Sequence, residues 1–284
     1  MDITSYLLGK NSAGGGSGST IDVGALGIKF GYSTFTEVSG DIFKFDNCSD
    51  CYRMFFPCNN LKTMPNMDLS HATTTEQMFN GDSLLETIGT ITTSNLLTNT
   101  ASMFDGCNKL QSVDITNISS CTNTSHMFAN CSMITHISDL NCNSVLDCNN
   151  MFYSCGLLET FPEVNAPNCT NFLQTYSRCG NMKTLNLKNT NSGQNFSNLC
   201  STCKKLENVP VLNFSSATNL SGMFTTCNAL TDTSLDNILQ SCLTATSYTG
   251  TKKLTTLGVS SNYSSRVQAL PHYQDFIDAG WTIS

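Results

Sequence analysis

The sequence has little charge. Only 12% of its 284 residues are Asp, Glu, Lys or Arg, and the formal net charge is −7. It has no run of lysines and arginines that could neutralise phosphates, which argues against nucleic acids and anionic membranes as partners. Serine, threonine and asparagine make up most of the polar composition, so we expect a surface of neutral side chains.

Long apolar runs are also lacking. No stretch approaches the roughly 18 apolar residues that cross a bilayer. The opening segment, Met1 to Lys10, has an acidic second residue and too short an apolar run for a secretion signal, and no small-residue cleavage site follows it. We therefore predict neither a transmembrane segment nor an export signal.

Catalytic and metal-binding motifs are scarce. There is no Gly-x-Ser-x-Gly turn, and the histidines fall in unrelated positions: His71, His126, His136 and His272. Cys48-x-x-Cys51 and Cys200-x-x-Cys203 resemble two halves of a zinc site, but about six coils at about 4.8 Å each would hold them roughly 30 Å apart. We predict a non-enzymatic protein with no cofactor and no metal. A hydrolase assembled from distant residues is the alternative that the sequence leaves open.

What the sequence does contain is a repeat. Met-Phe, two spacers, Cys, two more spacers and an aliphatic residue follow in order from Met103 to Leu110. The Cys position recurs at steps of 24 residues, with one step of 25, at Cys58, Asp82, Cys107, Cys131, Cys155, Cys179, Cys203 and Cys227. A fixed period of this length is typical of a solenoid in which each repeat forms one coil.

Each repeat predicts one short strand and one short helix. In the clearest copy, Leu110, Val113 and Ile115 are spaced as in a strand, and a Ser/Thr/Asn-rich turn follows. Met127 and Cys131, four residues apart, then lie on one face of a helical turn. The predicted fold is therefore an α/β solenoid with one short strand and one short helix per coil, capped at both ends.

The fifteen cysteines are interpreted as small, buried, reduced side chains. Seven occupy the repeat's own Cys position, and Cys51 and Cys148 share another position that elsewhere holds Thr, Phe or Leu. Stacked coils would bring like cysteines to within about 5 Å, so oxidative bridging stays open.

The domain organisation follows from the repeat. Residues 1–20 are predicted to form a docking peptide on a glycine-rich linker, with a frayed terminus as the alternative; its apolar residues are Ile3, Tyr6, Leu7 and Leu8. Residues 21–50 are assigned to an N-terminal β cap, 51–230 to the solenoid and 231–284 to a C-terminal α/β cap.

Within the C-terminal cap, Thr233 to Asp236 resembles a capping box that would start a longer helix. Leu254 to Val259 is a candidate strand. Pro271 to Ala279 predicts a further helix that ends at Gly280, and Trp281 to Ile283 a last strand.

The candidate site is the outer face of the strands. Two residues beyond each repeat's aliphatic position, polar side chains would stack into a row that points away from the core: Thr63, Thr87, Ser112, His136, Thr160, Thr184 and Asn208. A neighbouring row contains Asp114, Ser138 and Asn186. We predict that this face binds a host surface glycan or protein through many weak hydrogen bonds. The alternative is that such ladders only stabilise the sheet.

The Met-Phe-x-x-Cys-x-x-Leu repeat, with its strand and its Ser/Thr/Asn turn, resembles the BspA-type leucine-rich repeats of bacterial surface proteins over residues 51–230. This resemblance implies a right-handed leucine-rich-repeat stack used for adhesion and recognition, with no catalytic residues. Two shorter segments, Asp2 to Lys10 with its glycine run and Leu270 to Ile283, are similar to the ends of phage proteins from gut Firmicutes.

The resemblance implies a non-enzymatic recognition module. The favoured hypothesis is a phage virion accessory of the tail or fibre region, located on the virion or outside the cell. It would attach to another virion protein through its N-terminal peptide and present its repeats to the host. The alternative hypothesis is a bacterial BspA-like surface or secreted adhesin.

Overall fold

The computed structural model describes residues 21–23, 29–31, 36–38, 43–254 and 263–283. The predicted docking residues Ile3, Tyr6, Leu7 and Leu8 lie outside this part of the chain. Most of the candidate strand from Leu254 to Val259 lies outside it as well.

The chain winds into a solenoid whose coils pair in parallel. One unbroken ladder of parallel bridges joins residues one coil apart: Asp50, Thr74, Asn99, Asn123, Asp147, Asn171, Asn195 and Asn219. Most of these side chains accept the backbone N–H two residues ahead, as Asn123 does from Ser125 at 3.0 Å. Such Asx turns redirect the chain at the same place in every coil. The predicted solenoid is confirmed.

The strands are short, two residues each. They are β1 (Ile21–Asp22), β2 (Phe43–Lys44), β3 (Thr63–Met64), β4 (Met67–Asp68), β5 (Thr87–Ile88), β6 (Ile91–Thr92), β7 (Ser112–Val113), β8 (His136–Ile137), β9 (Val164–Asn165), β10 (Leu187–Lys188), β11 (Lys253–Leu254) and β12 (Thr282–Ile283). The parallel pairs are β1–β2, β3–β5, β4–β6, β7–β8, β9–β10 and β11–β12.

The short helix predicted in each coil is wrong, because hydrogen-bonded turns stand in its place. In these turns, successive backbone N–H groups alternate between a partner in the same turn and a partner in the next coil. That of Met78 bonds within its own turn, to Thr75 at 3.1 Å, whereas that of Phe79 reaches the carbonyl of Met103 in the next coil at 2.9 Å. Residues with positive φ, such as Gln77 (55°) and Gly81 (81°), recur at these turns and interrupt any α-helix.

Like residues form columns in the core, as the repeat predicts. Met103, Met127 and Met151 are fully buried, and their carbonyls accept the N–H groups of the phenylalanines one coil earlier at 2.9 Å. One aromatic column runs through Phe30, Phe55, Phe79, Phe104, Phe128, Phe152 and Tyr176, with centroids of successive rings 4.8 to 5.8 Å apart. Stacked rings at this spacing attract each other.

The aromatic column is interrupted at Cys200, which replaces the ring, and buried Phe224 occupies the same position one coil later. A second pair, Phe172 and Phe196, stacks at 5.0 Å in another column, at the position that Thr75 and Thr124 occupy in earlier coils. The core therefore keeps its aromatic filling over these coils by moving it from one column to another.

The repeat's cysteines have a hydrogen-bonding role that sequence reasoning missed. Each thiol of this column donates to a carbonyl at the Phe position of the preceding coil, as Cys131 does to Phe104 at 3.2 Å and Cys179 to Phe152 at 3.0 Å. All fifteen cysteines are buried and unbridged. Two pairs of thiols lie close together: the sulfurs of Cys48 and Cys51 are 3.2 Å apart and those of Cys148 and Cys169 3.3 Å.

The one carboxylate in this column, Asp82, is explained by Pro57. Other coils have a positive-φ residue at the position of Pro57, such as Gly81 and Asn130, but proline holds φ near −65°. The N–H of Cys58 then bonds to Oδ1 of Asp82 at 2.6 Å. Asp82 is fully buried and its Oδ2 has no partner, so burial raises the pKa of this carboxyl to about 8.

The described residues of the C-terminal part form three helices, α1 (Asp232–Leu243), α2 (Tyr263–Gln268) and α3 (Tyr273–Asp278). The capping box predicted at Thr233 is wrong: Thr231 caps α1, and its Oγ1 accepts the N–H of Ser234 at 3.2 Å. Trp281 is buried against Phe276 and Tyr248. No helix in the described residues has the length and hydrophobicity to cross a membrane.

Candidate recognition surface

The first predicted row lies on the outer face of the strands. Thr63 stands opposite Thr87 and Ser112 opposite His136, while a bridge joins Thr184 to Asn208. All of the row is exposed except Ser112, which is half-buried. The alternate residues, such as Met64 and Val113, are buried, so strand alternation presents the row to solvent.

In the second row, two of the three side chains form hydrogen bonds with the backbone of the preceding coil. The hydroxyl of Ser138 donates to the carbonyl of Ile115 at 3.2 Å and accepts its N–H at 3.0 Å. The amide of Asn186 donates to the carbonyl of Phe161 at 2.9 Å. Asp114 is exposed and lies 3.3 Å from Nε2 of His136. The rows thus join at His136, and they also help to hold neighbouring coils together.

The sheet beneath the rows is interrupted. The N–H of Ser138 donates to the carbonyl of Val113 at 3.0 Å, but Pro162 occupies the equivalent position one coil later and has no N–H. Among the described strands, β8 pairs only with β7. His136 and Thr160 therefore stand on coils that are not joined at this strand.

Two cavities open near the interruption. One, of about 460 Å³, lies between the turn after β8 and β9 and is lined by Asp139, Asn141, Asn143, Glu163 and Asn165 among others. The other, of about 340 Å³, lies between β10 and the start of α1. Its lining includes three predicted residues, Thr184, Asn186 and Asn208. Both cavities share Glu163, which is ion-paired with Lys188 at 2.6 Å.

Part of this site was missed by sequence reasoning. Thr233, Ser234 and Asn237 of α1 line the smaller cavity, although their sequence signals only a helix start. Their position depends on how α1 packs against the last coil, where Ser234 donates to the carbonyl of Glu207 at 2.7 Å. No local pattern encodes that contact.

The thiols of the core are not available for chemistry at this surface. Burial raises the pKa of Cys121 and Cys142 to about 12, so both are protonated at neutral pH. Among the described residues, no group of three or more His, Cys, Asp or Glu side chains could hold a metal ion.

The ladder of coils and the columns of like residues define a solenoid repeat protein whose coils pair in parallel. The family DUF285, described as Mycoplasma protein of unknown function, matches residues 49–163 and 135–238. These matches together cover more than half of the chain, so the protein belongs to this family.

A similar solved structure is the leucine-rich repeat protein of T. pallidum, TpLRR. It is 16% identical, with a TM-score of 0.45, over 66% of this chain and 78% of that one. No curated protein sequence matches.

Proposed function

We propose that the protein is a non-enzymatic recognition module that binds a host cell surface through the outer face of its strands. The observation that carries this proposal is the polar row on the outer face of the strands, whose side chains stand in register within three pairs: Thr63 with Thr87, Ser112 with His136 and Thr184 with Asn208. Solenoids use extended surfaces of this kind for binding, since each coil adds a few contacts to the next. Because the chain has few charged residues, binding would depend on many hydrogen bonds between neutral groups.

The test is binding of the labelled protein to host cells. Ser112→Trp, His136→Trp and Thr160→Trp together place bulk on the middle of the row, where no side chain is fully buried. We expect binding to fall at least tenfold while the circular dichroism spectrum stays unchanged. The matched control is Asn59→Trp, an exposed position outside the row. Unchanged binding of the triple variant would refute the assignment of this face.

The finer part of the proposal is that the module is a phage virion accessory, attached to another virion protein through residues 1–20. Its support is the similarity of two segments, Asp2 to Lys10 with its glycine run and Leu270 to Ile283, to the ends of phage proteins. Mass spectrometry of purified virions is the test. Detection of the protein on bacterial cells without phage particles would favour the BspA-like adhesin instead.

A further inference from the structure

We propose that the two cavities meeting at Glu163 form one binding site for an uncharged saccharide of a cell surface. This inference rests on the proposed recognition function and assigns it a ligand class and a place. The cavity volumes, about 340 and 460 Å³, lie at the lower end of the roughly 300 to 1,000 Å³ typical of small-ligand sites. A sugar ring at the end of a glycan chain has the matching size.

The smaller cavity offers hydrogen-bond acceptors. Asn186, Asn208 and Asn237 all line it, and each amide nitrogen already donates within the protein: to the carbonyl of Phe161 at 2.9 Å, to Oγ1 of Thr184 at 3.5 Å and to the carbonyl of Val209 at 2.9 Å. Each side-chain carbonyl oxygen and the second N–H of each amide are left for a ligand. A ligand that fits can therefore both donate and accept hydrogen bonds, as the hydroxyls of a sugar do.

The other residues that line the smaller cavity do not favour a charged ligand. Glu163 and Lys188 neutralise each other at 2.6 Å, so the cavity has no net charge from this pair. Half-buried Pro210 adds apolar surface on which the C–H face of a sugar can lie, with the buried side chains of Leu185 and Val209 beneath it. Polar groups that fix orientation above an apolar floor are the usual composition of a small-ligand site.

The larger cavity continues the same chemistry on the other side of Glu163. Asn165 donates to Oδ1 of Asn143 at 2.8 Å, and Asn189 donates to Oδ1 of Asn165 at 2.7 Å. These amides are held in fixed orientations by one another, which lowers the entropic cost of binding. A second sugar unit would lie here, so the site favours an oligosaccharide over a single ring.

The test uses the full chain on an array of neutral oligosaccharides built from hexoses and N-acetylhexosamines, beside sialylated glycans and lysine-rich peptides. Asn208→Ala removes one acceptor at an exposed position, and we expect the apparent affinity for the neutral glycans to fall about fivefold. Thr233→Val, which keeps the shape of the side chain at an exposed position of α1, is the second variant. Asn59→Ala is the matched control and should bind as the parent does.

Glu163→Gln separates a saccharide from a cationic ligand. It keeps the size of the side chain but removes the carboxylate, so a cationic peptide would lose its counter-ion. Peptide binding that disappears in Glu163→Gln would overturn the inference. The inference would also be overturned if the protein bound no neutral glycan on the array. The proposed function would still stand in that case if cell binding depended on Ser112, His136 and Thr160. If cell binding did not depend on them either, both the inference and the proposed function would be overturned.

Discussion

Asp82→Asn should stabilise the protein, and increasingly so as the pH rises. The parent carboxyl is fully buried, with one oxygen bonded to the N–H of Cys58 and the other without a partner. Its pKa is raised from 3.8 to about 8 because burial disfavours the charged form. The unfolded chain ionises near pH 3.8, so the folded state loses stability between pH 3.8 and about 8.

The size of the effect follows from the pKa difference. Each pH unit in that window costs about 1.4 kcal/mol, which amounts to roughly 4 kcal/mol at pH 7. Asparagine keeps an Oδ1 that can accept the N–H of Cys58. Its Nδ2 can donate to a carbonyl of the preceding coil, as the cysteine thiol does in the other coils. It does not titrate. The variant should therefore match the parent near pH 4 and exceed it by several kcal/mol at pH 8.

The assay is urea unfolding followed by circular dichroism under reducing conditions, at pH 4, 6, 8 and 9. The stability difference between variant and parent should grow up to pH 8 and then stay constant. Asp139→Asn, at an exposed position, is the control and should show no such slope. A difference that is independent of pH would refute the reasoning, because it would mean that Asp82 is ionised in the folded protein throughout.

Three further predictions follow from the columns and turns. Phe128→Ala, in the middle of the ring stack, should lower the free energy of unfolding by about 3 to 5 kcal/mol in the same urea assay, whereas an effect below about 1 kcal/mol would contradict a packed column. Asn123→Ala should cost about 1 kcal/mol by analogy with helix caps, and Asn123→Asp should be tolerated since Asp147 occupies the equivalent place in the next coil; equal losses would argue against the Asx turn. A thiol reagent should label few cysteines in the native protein at pH 8 and all fifteen in guanidinium, and rapid labelling of Cys121 or Cys142 without denaturant would contradict their raised pKa.

The repeat in the sequence was sufficient to predict which side chains are buried. Met103, Met127 and Met151 share one column because a period of 24 residues returns the same position to the same place in each coil. Exposure of Thr87 and His136 follows in the same way, from alternation along a strand. These features depend only on the spacing of residue types, which can be read directly from the sequence.

The spacing of the repeat did not determine the backbone conformation between its Met and Cys positions. A helix and a pair of consecutive turns both return the chain to the buried side after four residues, and the difference lies in positive φ angles at residues such as Gln77 and His126. Neither residue type demands that conformation. The hydrogen bonds from each turn to the next coil stabilise it, and those bonds exist only once the coils have stacked.

The spacing of residue types was enough to specify the solenoid, its period and its buried columns, because each coil repeats the same local pattern against the next. Three features are visible only in the folded protein: the bond between Asp82 and Cys58, the interruption at Pro162, and the cavities between the last coils and α1. These depend on departures from the repeat and on contacts between residues far apart in the chain. A periodic sequence pattern does not specify which of the residues that depart from it come into contact in the folded protein.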